Sequence, residues 1–465
     1  MRAIETWGII CFALSILGSS FGKQFDLSSF APYDVVIRDF AIVGGGAAGS
    51  YAAIALKDQG SSFVVIEKDV RLGGHVATYQ DPKTGKSVDY GVQIYDNDTT
   101  VRDFFARLKT PLANFSFASF GSPVYADFKA SALLNITIEP VGEDYLTELA
   151  KYPYLNDGIE LPDPVPEDLL LPWVEYISKH NLQHSDMAIL ARPAVPGHIL
   201  NTTALYVFNY LNKLMLHEQS GAAVVNGNRD NSQLYRIAMT ELQHQILLNS
   251  TVIAGSRSTS RRHGVRLVVQ TPTGKKLIVA KQLLNALPQT MENIRNFGLD
   301  NRERRILSRV HGLPYYGGVV KNTGLARGYS YKNYAANTSY NVAEIPSVVM
   351  FNASPVDGIF YYWYNSVDAM SQRNIEADAR DAIRTLQRLT KTATQPEPEF
   401  LAFTDFGPFN LAVKPGDIKN GFYRDMYALQ GYRNTWYIGT LFVAGSSQLW
   451  NNIALMLPDI LAAAK

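Results

Sequence analysis

Cysteine is nearly missing from this chain of 465 residues, and the only one is Cys11. A protein cleaved beyond that position holds no thiol, so neither a disulfide framework nor dithiol redox chemistry is open to it. Charge of one sign is also missing. Lys and Arg number 43 against 42 Asp and Glu, and the two signs are interspersed. No basic stripe points to nucleic acid and no acidic tail to a solvated partner arm. No metal is expected. Apolar runs long enough to cross a bilayer are absent too, which argues against a stable membrane span in the mature chain.

What is present begins with the N-terminus. Arg2 precedes an apolar run from Trp7 to Leu17, and small residues follow at Gly18, Ser19, Ser20 and Gly22. A charged start, a short apolar stretch and a small-residue site read as a signal peptide over residues 1–22, hence secretory localisation. A buried N-terminal helix and an uncleaved anchor are the alternatives, and the length of the run disfavours the second. Glycosylation sequons stand at Asn97, Asn114, Asn135, Asn201, Asn249, Asn337 and Asn352, the last weakened by Pro355. An apolar content of 46% over this length supports a large core and more than one domain.

Residues 35–43 (VVIRDFAIV) are β-branched and apolar over a strand's length, and Gly44-Gly45-Gly46-Ala47-Ala48-Gly49 follows at once. Residues 50–56 read as a helix rich in small side chains. Residues 62–66 read as a second strand, ending at Glu67. Strand, G-x-G-x-x-G, helix, strand and acid in that order form a dinucleotide-binding unit. Gly44 permits the turn, Gly46 lets the backbone approach a diphosphate, and Gly49 lets the helix lie close on the sheet. The helix N-terminus offers N–H groups to the phosphates. Glu67 accepts from the adenosine ribose hydroxyls and repels a 2′-phosphate, which disfavours NADP. No second such fingerprint occurs.

Arg71-Leu72-Gly73-Gly74-His75, with Thr78 beyond, follows the acid. Adjacent glycines allow close backbone contact with a cofactor, and Arg71 can neutralise phosphate charge. Here the sequence resembles the FAD-binding amine oxidase superfamily, where R-x-G-G and a downstream threonine follow the ribose acid. Val88 to Gln93 (VDYGVQ) is similar to the segment that brings backbone beside the flavin, which implies contact through Gly91 and Val92. Residues 247–253 resemble the superfamily's hairpin region, with a turn at His263-Gly264 and a strand over 265–269. That match implies an adenine contact for Val252. Residues 278–288 resemble the strand that ends in A-x-P. Residues 436–445 (WYIGTLFVAG) resemble the C-terminal strand and glycine that reach the flavin, which implies roles for Gly445 and Asn451 and a helix from Leu449 onward. The resemblance implies an α/β fold: a Rossmann-type FAD domain over 34–103, 236–290 and 426–465, interleaved with an α+β substrate domain over 104–235 and 291–425. FAD is the implied cofactor, and it cannot be tied to the mature chain through cysteine.

The substrate segments are rich in proline and aromatics, at 153–166, 193–196 and 360–364 (FYYWY). Such a wall suits a flat hydrophobic organic substrate, although alternating strand aromatics half in the core explain the same pattern. Lys321 ends an apolar strand-like stretch. By resemblance it matches the lysine that holds a water near flavin N5, and otherwise it is an ordinary strand-end lysine. His75 can serve as a base or as a hydrogen-bonded turn residue. Where many amine oxidases have G-E, this chain has Gly445-Ser446. Together with R-L-G-G-H, V-D-Y-G-V and S-S-x-L-W-N, this is closer to a fungal subgroup that includes β-cyclopiazonate dehydrogenase. That resemblance implies two-electron oxidation of a prenylated or terpenoid secondary metabolite, with O2 or another molecule accepting the electrons. The rival readings are an amine or amino-acid oxidase releasing peroxide and a flavin-binding partner protein without chemistry.

Overall fold

The computed structural model describes residues 25–137, 142–182, 197–212, 223–259, 264–392 and 396–465. The expected signal peptide, the prolines over 193–196 and His263 lie outside the described residues. Two seven-stranded sheets organise the rest. The first sets Val35–Val43 between Phe63–Ile66 and Gly274–Asn285, parallel to both. Ile246–Leu247 extends it beyond Phe63–Ile66. On the other side, Gly274–Asn285 turns back through the antiparallel strands Val265–Thr271 and Thr251–Arg257. Thr435–Tyr437 pairs in parallel with Leu283–Asn285. Phe63–Ile66 and the second half of the first strand, Phe40 to Val43, are wholly buried, as expected where a parallel sheet is covered on both faces.

Helix Ala47–Asp58 covers one face and packs against the last helix, Ser446–Ala464. Trp450 is fully buried there, its indole N–H donating to the Ala47 carbonyl at 3.2 Å. Its ring stacks on Tyr95 at 5.4 Å. The expected C-terminal strand stops at Tyr437, because Gly439 adopts φ +152° and turns the chain against Gln289. The last helix starts at Ser446, three residues before the expected Leu449.

The second sheet runs in the order Glu399–Asp405, Tyr315–Lys321, Ile359–Asn365, Ser347–Ala353, Tyr329–Asn333, Ser122–Asp127, Ala132–Leu133. Helix Gln372–Leu389 lies on one face, with Ile375, Ala379, Ile383 and Leu386 at helical spacing toward the sheet. The aromatic run is divided by strand alternation. Phe360, Tyr362 and Tyr364 point under that helix, and Trp363 points to the other face, which walls a cavity.

Candidate cofactor and active site

A cavity of about 1770 Å3 runs from the end of the first strand to the open face of the second sheet. Pockets for one drug-sized ligand span roughly 300–1,000 Å3. The volume accommodates a dinucleotide and a second molecule.

At one end the chain leaves Val43 through Gly44 at φ +101° and enters the first helix at Gly46. A Cβ on Gly49 would stand 1.8 Å from the Gly44 carbonyl oxygen, so helix and turn touch through bare backbone. No side chain caps the helix, and Gly46, Ala47 and Ala48 line the cavity. First-turn N–H groups have no intrahelical acceptor, so this end is a ready anion site. A Cβ on Gly74 would lie 3.0 Å from the Gly46 Cα, which sets the double glycine face to face with the fingerprint. Arg71 lines the same end and donates to the carbonyls of Leu72 at 3.1 Å and Gly74 at 3.3 Å. Glu67 accepts from Gly45 N at 2.5 Å and Asp69 N at 2.8 Å, and each oxygen has a further lone pair to offer. Burial raises its pKa above the ordinary glutamate value, against the pull of those two amides. An uncapped helix end, opposed glycines, a cation and an acid at the cavity wall fit the diphosphate and ribose of FAD.

The middle of the wall is backbone. A Cβ on Gly91 would stand 2.1 Å from the His75 carbonyl oxygen, and Val92 N donates to that oxygen at 3.3 Å. Gly91, Val92 and Gln93 line the cavity from one side, while Gly445, Ser446 and Leu449 at the start of the last helix line it from another. This is where the isoalloxazine ring would rest. His75 also lies on the wall, stacked on Phe409 at 5.3 Å and edge-on to Phe406 at 5.7 Å. Burial lowers its pKa to about 4, aided by Lys68 and opposed by a backbone hydrogen bond at Phe406. The imidazole is therefore neutral at neutral pH.

The far wall is the second sheet, read across its strands. Thr404, Gly317, Trp363, Met350, Lys332 and Tyr125 stand side by side in register. The Trp363 indole N–H donates to the Tyr90 carbonyl at 2.7 Å and ties this row to the backbone beside Gly91. A second row is polar. Ser330 bonds to Asn352, whose amide donates to the Tyr361 hydroxyl at 2.9 Å, and Tyr361 donates to Gln93 at 3.3 Å.

Four expected residues stand elsewhere. Lys321 is on the correct face of its strand but four residues past Gly317, about 13 Å at strand rise. It pairs with Glu399 at 2.9 Å and does not line the cavity. The position opposite the Tyr90 carbonyl is Gly317, where a Cβ would meet Phe406 at 2.8 Å. Asn451 donates to Asp98 at 2.6 Å, away from the wall. Val252 is buried off the cavity wall, two residues from Ser250, whose N–H donates to the Glu67 carbonyl at 2.9 Å and so keeps it at the nucleotide end. Asn352 is 1% exposed and bonded inside the sheet, so its sequon cannot be reached. Sequence reasoning missed Lys332, although the alternation of Tyr329 and Tyr331 with Ser330 and Lys332 carried the signal.

Fold and site together define a Rossmann-type flavoprotein whose cofactor trough opens onto a sheet-walled chamber. A family model described as an NAD(P)-binding Rossmann-like domain matches residues 42–108. The chain is 64% identical to the FAD-dependent oxidoreductase dbaF of Emericella nidulans, over 100% of this chain and 99% of that one. It is 28% identical to the β-cyclopiazonate dehydrogenase of Aspergillus oryzae, over 90% and 91%. In three dimensions it is similar to a fatty acid isomerase from P. acnes that produces CLA, with TM-score 0.70, 18% identity and coverage of 90% and 98%. Cyclohexylamine oxidase from Brevibacterium oxydans IH-35A superposes with TM-score 0.65 at 18% identity, over 92% and 98%. These two likenesses concern the fold alone. The chain belongs to the family of FAD-dependent oxidoreductases, and FAD is its cofactor.

Proposed function

We propose that this enzyme oxidises a hydrophobic secondary metabolite, prenylated or terpenoid, at an activated allylic or benzylic C–H. The observation that carries the reading is the continuity of one cavity from the helix N-terminus at Gly46 to the aromatic wall at Trp363 and Tyr125. Bound FAD supplies the two-electron acceptor for a hydride. The chain's own part is placement. Trp363 and Met350 offer a flat apolar floor beside the Tyr90–Gln93 backbone, where an aligned substrate recovers much of the entropic barrier. A nucleophile on the same substrate can then close a ring on the cationic carbon, sheltered from water by that floor. His75, neutral and wedged against Phe406 and Phe409, adds no charge to repel such a cation.

Mixing the purified protein anaerobically with a prenylated aromatic substrate is expected to bleach the oxidised flavin band. Oxygen is the proposed acceptor, so readmitting air is expected to restore the band and release peroxide. A flavin spectrum that no prenylated or terpenoid compound alters would overturn the reading. An amine oxidase is the second reading, favoured by the fold shared with cyclohexylamine oxidase. Against it, Ser446 follows Gly445 where many amine oxidases carry an acid. Passage through the secretory pathway belongs to the same proposal. Asn114, Asn135, Asn201, Asn249 and Asn337 are exposed, and a drop in mass after endoglycosidase treatment tests it.

A further inference from the structure

The substrate chamber contains one feature that oxidation of a hydrocarbon does not use. Lys332 sits on an interior strand of the second sheet, on its open face, between Met350 on one neighbouring strand and Tyr125 on the other. It is half-buried and lines the cavity. Among the described residues no carboxylate and no hydrogen-bond acceptor reaches its ammonium, although each of the other half-buried lysines described, Lys57, Lys276 and Lys321, has one. Lys57 reaches Glu241 at 3.2 Å, and Lys276 reaches Asp34 at 2.9 Å. The remaining strong cations on the wall, Lys68 and Arg71, belong to the nucleotide end. A desolvated ammonium without a counter-ion is costly. Burial alone lowers its pKa below the ordinary lysine value.

The register fixes where such a group stands. Lys332 is two strands from Trp363, about 10 Å at the usual strand spacing, and Trp363 is bonded to the backbone beside Gly91. The apolar surface of Trp363 and Met350 fills the interval. Ser330, two residues earlier on the same face, spends its hydroxyl on Asn352, so the Lys332 ammonium is the group left to meet a ligand. A ligand that satisfies this wall has a flat apolar body and an oxyanion at its far end.

We infer that Lys332 anchors an ionised oxygen function of the substrate, a carboxylate or an acidic enol or phenol, about two strand widths from the Trp363 edge of the chamber. The inference rests on the proposed oxidative function and narrows its substrate class to acidic metabolites. An ammonium–oxyanion contact in a partly dry chamber favours the anion by roughly ten- to a hundred-fold over a neutral isostere.

The test uses the full chain loaded with FAD and two probes of one shape, 2-naphthoate and 2-naphthamide. Affinities are read by titration calorimetry and by perturbation of the flavin spectrum. The wild type is expected to prefer the naphthoate at least about tenfold. Lys332→Met, matched in length but neutral, is expected to lose that preference with unchanged affinity for the naphthamide. Lys332→Arg is expected to keep it, which separates lost charge from a damaged fold. Equal affinity of the wild type for both probes, no binding of the naphthoate, or a preference that survives in Lys332→Met overturns the anchor. Failure of the oxidation itself is a separate result: a flavin that no metabolite bleaches leaves the probe preference readable.

Discussion

Glu67 is the acid at the nucleotide end of the cavity, held there by two backbone amides. Glu67→Gln keeps the shape and removes the charge-assisted acceptor. FAD affinity is expected to fall about tenfold or more, measured as flavin retained after dialysis, and unchanged retention would remove Glu67 from the site. Lys321→Met is expected to leave the rate of flavin reduction unchanged, because the lysine spends its charge on Glu399 at the surface. A large fall in that rate would contradict its position.

Asp89 supplies a pH signature. Burial pushes its pKa up to about 7, against hydrogen bonds from the Thr78 hydroxyl and the Asn231 amide. The folded protein keeps a proton that the unfolded chain gives up above the ordinary aspartate value of 3.8. Stability from this group is therefore lost as pH rises from about 4 to about 7, and is level above that. Asp89→Asn is expected to flatten that part of the profile when melting is followed at several pH values, and identical slopes in both proteins would refute the assignment. At this scale the nucleotide end was legible, because glycine and a ribose acid have few substitutes in that geometry. Lys321 was misplaced because a sequence pattern gives the face of a strand and says nothing of how far along it the cofactor crosses.

Single elements explain what was read and what was not. The first strand, its helix and the second strand form a local unit whose signals all lie within one short stretch of chain, so the sequence displayed it whole. The open face of the second sheet is assembled from strands far apart in the chain, and only register brings Trp363, Met350 and Lys332 into one row. Alternation divides the 360–364 run into core and wall, but nothing local says which face is which. Asn352 illustrates the cost of that ambiguity: its sequon is formally intact, yet the residue is tied to Ser330 and Tyr361 inside the sheet. The last helix is anchored by Trp450 against the first helix and Tyr95. Trp450→Ala is expected to destabilise the protein by about 3–5 kcal/mol and to release FAD in parallel, because Ser446 and Leu449 at the start of that helix line the cavity. Denaturant unfolding together with flavin fluorescence checks both effects.

Across the whole molecule, stability and cofactor are coupled. The trough presents uncapped N–H groups and the Arg71 cation to whatever fills it. Free FAD at a hundred times its Kd adds about 2.7 kcal/mol by mass action. Stripping the flavin is accordingly expected to lower the melting temperature of the wild type, and resupplying it to restore that temperature. An apoprotein that melts where the holoprotein does would show that the trough is not the binding site.

The pairing of Thr435–Tyr437 with Leu283–Asn285 has a consequence in time as well as in space. Glycines at 44, 46 and 74 emerge early from the ribosome, yet the part of the wall that Gly445, Ser446 and Leu449 supply exists only when the final helix has been synthesised and has docked. Stable retention of FAD is thus expected only of a finished polypeptide, because one arrested before Thr435 carries the nucleotide fingerprint and lacks the wall of Ser446 and Leu449.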